Sequence, residues 1–170
     1  MDLGAMVCLP NTSPCCSRCP LTSICTGYKE DIASSLPVKS SPKPRIKEQK
    51  TVLVLVSQGK TLLRRRPGTG LLAGMWEFPN LEGWLSENNV VDLLEEWGLR
   101  PLTVRHLAEA RHIFTHREWH LRGYLIEVAD TLLVQGALWV KGPAVREEYA
   151  IPSAFKSFAR HLDQWIKLGE

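Results

Sequence analysis

The chain has 170 residues, 44% apolar and 23% charged, with a net charge of +3. This is globular composition, and the length is near that of one average domain. It contains no apolar run long enough to span a membrane and no basic-then-apolar opening of a secretory signal, and its modest charge excludes a coat built for nucleic acid.

All five cysteines lie between Cys8 and Cys25, and none follows. An odd number, clustered at one end, is a poor disulfide framework and points to a metal site in a reducing, intracellular compartment. The spacing is Cys8-x7-Cys16-x2-Cys19-x5-Cys25 with Cys15 to spare, or Cys8-x6-Cys15-x3-Cys19-x5-Cys25. Structural zinc prefers two paired knuckles, and only one Cys-x2-Cys is present. A tight loop of uneven spacing better suits an iron–sulfur cube, whose four corners each meet a thiolate. Residues 30–50 follow with Pro37, Pro42, Pro44 and four serines. Between Lys39 and Lys50, Lys39, Lys43, Arg45, Lys47 and Lys50 against Glu48 leave a local charge of +4, so the residues outside that span sum to about −1. This is the composition of a basic, extended linker.

Residues 51–170 hold enough for a core of their own. Thr51 to Ser57 is a continuous apolar, β-branched run, expected as a strand covered on both faces. Gly59 turns it into a second strand, Thr61 to Arg66. A glycine loop through Gly68, Gly70 and Gly74 precedes Trp76-Glu-Phe-Pro79. Ser86 is placed to cap a helix bearing Val90, Val91, Leu94 and Trp97, with Val91 expected in the core and Gly98 at the C-terminal stop. Strands are expected at Thr103–Leu107, His120–Val128 and Leu138–Val140. A last helix opens at Pro152 or Ser153 and presents Phe155, Phe158, Leu162, Trp165 and Ile166. Strands, helix, strands, helix predict an α+β layer fold.

Two segments carry a resemblance. Gly4-Ala-Met-Val-Cys8, Cys16-Ser-Arg-Cys19-Pro-Leu and Cys25 resemble the iron–sulfur loop of MutY-type adenine DNA glycosylases. The family spacing is Cys-x6-Cys-x2-Cys-x5-Cys. The block match puts the second ligand on Cys16, with a first gap one residue longer than the family's. The resemblance thus implies a [4Fe–4S] cluster on Cys8, Cys16, Cys19 and Cys25. Residues 51–99 resemble the Nudix (MutT-like) fold through Val52–Val56, Arg66-Pro67, Gly70 to Pro79 and Glu95-Glu96-Trp-Gly-Leu99. Active Nudix hydrolases hold divalent metal on a glutamate-rich helix. Registered on Glu95-Glu96, their Arg-Glu pair falls on Val91-Asp92, their upstream glutamate on Gly83 and their first glycine on Glu77. Only the final acidic pair remains, so Asp92, Glu95 and Glu96 are expected as a solvated helix face.

The MutY-type family joins an iron–sulfur loop by a linker to a degenerate Nudix-like domain that reads 8-oxoguanine opposite the target adenine. The resemblance covers nearly the whole chain in the same order. It implies an α+β fold: a Nudix-like mixed sheet with flanking helices, residues 51–170, preceded by the small Cys-rich loop, 1–29, and the linker, 30–50. Four of five histidines lie between His106 and His120. Within them Phe114-Thr115-His116 resembles the family's Phe-Ser-His loop, which implies that these three contact the lesion. His112, His116 and His120, four apart, would share one face only on a helix, and Ile113, Phe114 and Thr115 favour strand.

The resemblance implies the C-terminal portion of such a glycosylase. Its expected partner is double-stranded DNA carrying 8-oxoguanine opposite adenine; it is expected to be intracellular, bound to no membrane, and monomeric. The family's catalytic glutamate and aspartate lie in a helical domain that precedes the iron–sulfur loop, and Met1 to Ala5 resembles the tail of that domain's last helix. No catalytic residue is therefore assigned here, and this piece alone is expected to be inactive. Two rivals remain: an active Nudix hydrolase with a metal-binding appendage, which needs the missing glutamates, and a non-enzymatic zinc-bearing adaptor, which metal content would reveal.

Overall fold

The computed structural model describes residues 2–10, 12–38 and 44–168. The chain divides into two compact units, Met1–Lys43 and Pro44–Glu170. Residues 39–43 of the expected linker lie outside the described residues.

The first unit is a succession of single turns. A helical turn Leu3–Met6 (α1) is followed by 3₁₀ turns at Cys16–Arg18 and Thr22–Ile24, a helical turn Thr26–Lys29 (α2) and a 3₁₀ turn at Ala33–Ser35. The Thr22 hydroxyl lies 2.7 Å from the carbonyl oxygens of both Cys16 and Cys19, which tightens the segment between those thiols. The Cys15 N–H donates to the Val7 carbonyl at 2.9 Å and brings the two ends of the loop together. Among the described residues of this unit, only Gly27 is buried. The described residues therefore form no apolar core to hold the unit.

The second unit is built on a seven-stranded mixed sheet. Its strands are β1 (Ile46–Ser57), β2 (Lys60–Arg65), β3 (Trp76–Glu77) and β4 (Asn80–Glu82), then β5 (Pro101–Ile113), β6 (Arg117–Val128) and β7 (Ala137–Lys141). Helix α3 (Glu87–Glu96) lies between β4 and β5, and α4 (Ala144–Glu147) and α5 (Lys156–Leu168) follow β7. The spatial order is β3-β2-β1-β6-β5, with β4 also paired to β1 and β7 to β2. Among these pairs only β1 and β6 run parallel, from Ile46 beside Arg117 to Val56 beside Glu127.

The unbroken apolar run of β1 has the predicted cause. Val52, Val54 and Val56 enter one core with Trp119, Leu121, Phe155, Phe158 and Leu162, and so face α5. Leu53 and Leu55 enter a second core with Val90 and Leu94 of α3 and with Tyr124 and Ile126. Ser86 caps α3 by accepting from the Asn89 N–H at 3.3 Å. At its other end Gly98 takes φ +74°. The Leu99 N–H then reaches the Leu94 carbonyl at 2.8 Å and the Gly98 N–H reaches Glu95 at 2.9 Å, a complete Schellman closure.

Three expectations need correction. Strand β1 begins at Ile46, inside the stretch expected as linker, because residues 46–50 pair with β6 and Lys50 also pairs with Glu82 of β4. Strands β5 and β6 extend to Ile113 and from Arg117, past a register shift between Leu107 and Ala110 that lets polar residues continue the ladder. Val91 is half-buried and packs in neither core; its neighbour Val90 is the residue that does.

Candidate functional site

The histidine-rich segment is a hairpin. Phe114, Thr115 and His116 connect β5 to β6, and the Phe114 N–H donates across the turn to the Arg117 carbonyl at 2.8 Å. Thr115 and His116 are exposed, and Phe114 is half-buried. The Phe114 ring meets Trp119 edge-on at 4.9 Å between centroids and His112 at 4.6 Å. His112, His116 and His120 therefore sit on two strands and a turn and do not form a helical face. His120 Nε2 lies 2.8 Å from a Glu118 carboxylate oxygen.

The start of β1 fastens this tip. The Ile46 N–H donates to the His116 carbonyl at 3.1 Å, and Arg45 Nε donates to the Phe114 carbonyl at 3.2 Å. Further along β1, Trp119 Nε1 donates to a Glu48 oxygen at 2.7 Å, and Arg117 pairs with the same carboxylate. Beside them a cavity of about 390 Å³ is lined by Trp119 and by Glu48, Lys50, Arg66, Glu82 and Arg117. Sequence reasoning missed this group by assigning Glu48 and Lys50 to the linker. The signal was present, since Glu48, Lys50, Val52 and Val54 continue one two-residue period onto the same face.

The four thiols Cys8, Cys16, Cys19 and Cys25 line one small cavity with Val7, Pro14, Thr22, Tyr28 and Ala33. The Cys15 side chain is not part of that lining. All five cysteines are free. Burial, and then the nearby Cys8, Cys25, Cys19 and Cys15, push the Cys16 thiol above its ordinary range. Among the described residues, no group of three or more His, Cys, Asp or Glu side chains stands gathered around a single metal position.

Helix α3 presents Asp92, Glu95 and Glu96 to solvent. Glu77, which stands where the hydrolase motif has glycine, is 1% exposed and held by Arg64 at 3.0 Å and Arg66 at 2.6 Å. A carboxylate so paired is a structural anchor joining β2 and β3.

The family model of the NUDIX domain matches residues 51–161. The chain is 29% identical to the adenine DNA glycosylase of Homo sapiens over 94% of its own length and 39% of that protein. Against the adenine DNA glycosylase of Mus musculus it is 30% identical over 82% of its own length and 37% of that protein. It thus spans about two-fifths of the curated relatives it matches. Among solved structures, it superposes on a complex between the C-terminal domain of mouse MUTYH and human PCNA with a TM-score of 0.54 at 25% identity. That match covers 71% of this chain and 90% of the other. A MutT protein from Methanosarcina mazei Go1 gives a TM-score of 0.54 at 18% identity, covering 72% of this chain and 97% of the other, which is a likeness of fold alone.

Proposed function

The chain belongs to the NUDIX domain family, and from that premise we propose that it serves as the lesion-reading and cluster-bearing portion of an adenine DNA glycosylase. Its homology to adenine DNA glycosylases runs over most of its length, whereas the hydrolase motif on α3 keeps only its last acidic pair. The function is therefore recognition of adenine paired with 8-oxoguanine in duplex DNA, and nucleoside diphosphate hydrolysis is not part of it.

Guanine presents N7 as an acceptor. In 8-oxoguanine N7 carries a proton and O8 is an added acceptor, so a reader must accept where it would otherwise donate. The Thr115 hydroxyl does this, because a hydroxyl accepts one bond while donating another. Phe114 provides an aromatic ring to stack beside the lesion. His116 donates to a base edge or a phosphate. The observation that carries this reading is the β5–β6 tip, where Thr115 and His116 are exposed above a Phe114 seated on Trp119.

The first unit holds one [4Fe–4S] cluster on Cys8, Cys16, Cys19 and Cys25. When bound, the cluster supplies four metal–thiolate bonds that tie the loop together. The residues suit it: four sulfurs line one cavity, and the unit has no apolar core among its described residues. Excision of adenine breaks the N-glycosidic bond of a flipped nucleotide. No residue of this chain is assigned to that step, and the chain alone does not excise adenine. It works inside the cell, where its DNA is; no described helix is long and apolar enough to cross a membrane.

The test compares binding to duplexes with adenine opposite 8-oxoguanine and opposite guanine, at one fixed low salt because phosphate contacts dominate raw affinity. The Phe114→Ala, Thr115→Ala double variant is expected to erase most of the preference. A native affinity ratio in that variant sinks the reading.

A further inference from the structure

Trp119 is 1% exposed, so its indole N–H must find a partner inside the protein. That partner is Glu48, its Cα neighbour across the parallel β1–β6 pair, at 2.7 Å. The Glu48 side chain is itself only 17% exposed, and its second oxygen pairs with Arg117, the residue that closes the hairpin turn. One carboxylate thus holds both the ring on which Phe114 rests and the strand residue that ends the Phe114–Thr115–His116 turn. The Trp119 ring carries Phe114 on its edge and has the Lys50 ammonium 5.1 Å and the Arg66 guanidinium 5.7 Å from its centroid. Lys50 Nζ lies 4.0 Å from the same Glu48 carboxylate and pairs more closely with Glu82 across β1 and β4.

We propose that Glu48 is a positioning residue for lesion recognition: through Trp119 and Arg117 it fixes the angle of the hairpin that carries Phe114, Thr115 and His116. This rests on that hairpin being the lesion reader. Glu48 touches no DNA in this role. It acts by denying Trp119 a rotation that would carry Phe114, and with it the Thr115 hydroxyl, away from the lesion edge.

The experiment uses the full 170-residue chain. Labelled duplexes with adenine opposite 8-oxoguanine or guanine are titrated at low salt, and the ratio of the two dissociation constants is the readout. Glu48→Ala is expected to lower that preference by about two- to tenfold, the range set by losing the one neutral hydrogen bond between Thr115 and the lesion edge. Affinity for the guanine duplex does not fall, because the substitution removes no cation and frees Arg117 from its carboxylate. Glu48→Gln retains an oxygen for the indole N–H but turns an amide N–H toward Arg117, so it restores only part of the native ratio. Should Glu48→Ala fail to fold, Trp119→Phe, which keeps a ring and loses the donor, replaces it with the same expected fall.

An unchanged ratio overturns the proposal. So does an equal loss of affinity for both duplexes, or a Glu48→Gln variant whose ratio is no better than that of Glu48→Ala. The Phe114→Ala, Thr115→Ala double variant separates the two levels. If it keeps the native ratio, or if the native chain shows no preference, the hairpin reading fails and this inference falls with it. If it erases the ratio while Glu48→Ala leaves it intact, only the role of Glu48 is lost.

Discussion

Cys15 and Cys16 are chain neighbours with different surroundings. Cys16 lines the thiol cavity and Cys15 does not. Cys16→Ser should therefore abolish the iron absorbance of anaerobically prepared protein, and Cys15→Ser should leave it. The reverse pattern would move the ligand to Cys15, and zinc as the only metal would reject the cluster. At Thr115 the group at stake is one hydroxyl on an exposed turn. Thr115→Val should cost about 0.5–1.5 kcal/mol of lesion preference, a several-fold change in the affinity ratio, with no change in melting temperature. Cys16 and Glu48 mark where a single sequence stops being legible. Spacing left Cys15 and Cys16 as alternatives, because two adjacent thiols differ only in the direction the backbone gives them. Glu48 read only as one charge in a basic linker, because its partner Trp119 lies 71 positions away.

At the scale of elements, periodicity and capping were legible and strand ends were not. The two-faced run of β1, the Ser86 cap, the Gly98 stop and the apolar stripe of α5 follow from local rules. The early start of β1 and the long arms of β5 and β6 depend on pairing between distant segments, which polar residues such as Lys47 and Arg111 do not announce. Gly123 is another such case. It lies on β6 where a Cβ would enter the Phe158 ring of α5, with Cδ1 at 2.7 Å, and would come within 3.3 Å of Leu107. An alanine there favours a strand over glycine by intrinsic preference and still has no room. Gly123→Ala should destabilise the second unit by about 1–3 kcal/mol, the usual cost of overpacking, seen as a lower urea midpoint. An unchanged midpoint would mean that α5 yields without cost.

For the whole molecule, a Nudix fold persists without the residues its hydrolytic members require. Glu77 shows how the vacated motif has been reused, since its carboxylate now joins Arg64 and Arg66 in the fold's own framework. The chain should release no nucleoside monophosphate from 8-oxo-dGTP with magnesium. Activity lost on Glu96→Gln would show that the α3 carboxylates still work. The parallel β1–β6 pair also dictates an order of assembly. Its partners stand 71 positions apart, from Ile46 beside Arg117 onward, whereas β5 and β6 are joined by a turn. The local hairpin can close within microseconds, but pairing across so long a loop belongs to the slow class of folding events. Until β6 emerges from the ribosome, the edge of Thr51 to Val56 that faces it is unpaired, in a six-residue segment of high β-propensity, without charge or proline, the kind that self-associates. Refolding yield should fall as concentration rises, and a chain stopped before Arg117 should aggregate during synthesis. The strand that carries Glu48 thus waits longest for its parallel partner and, while waiting, is the most exposed to error.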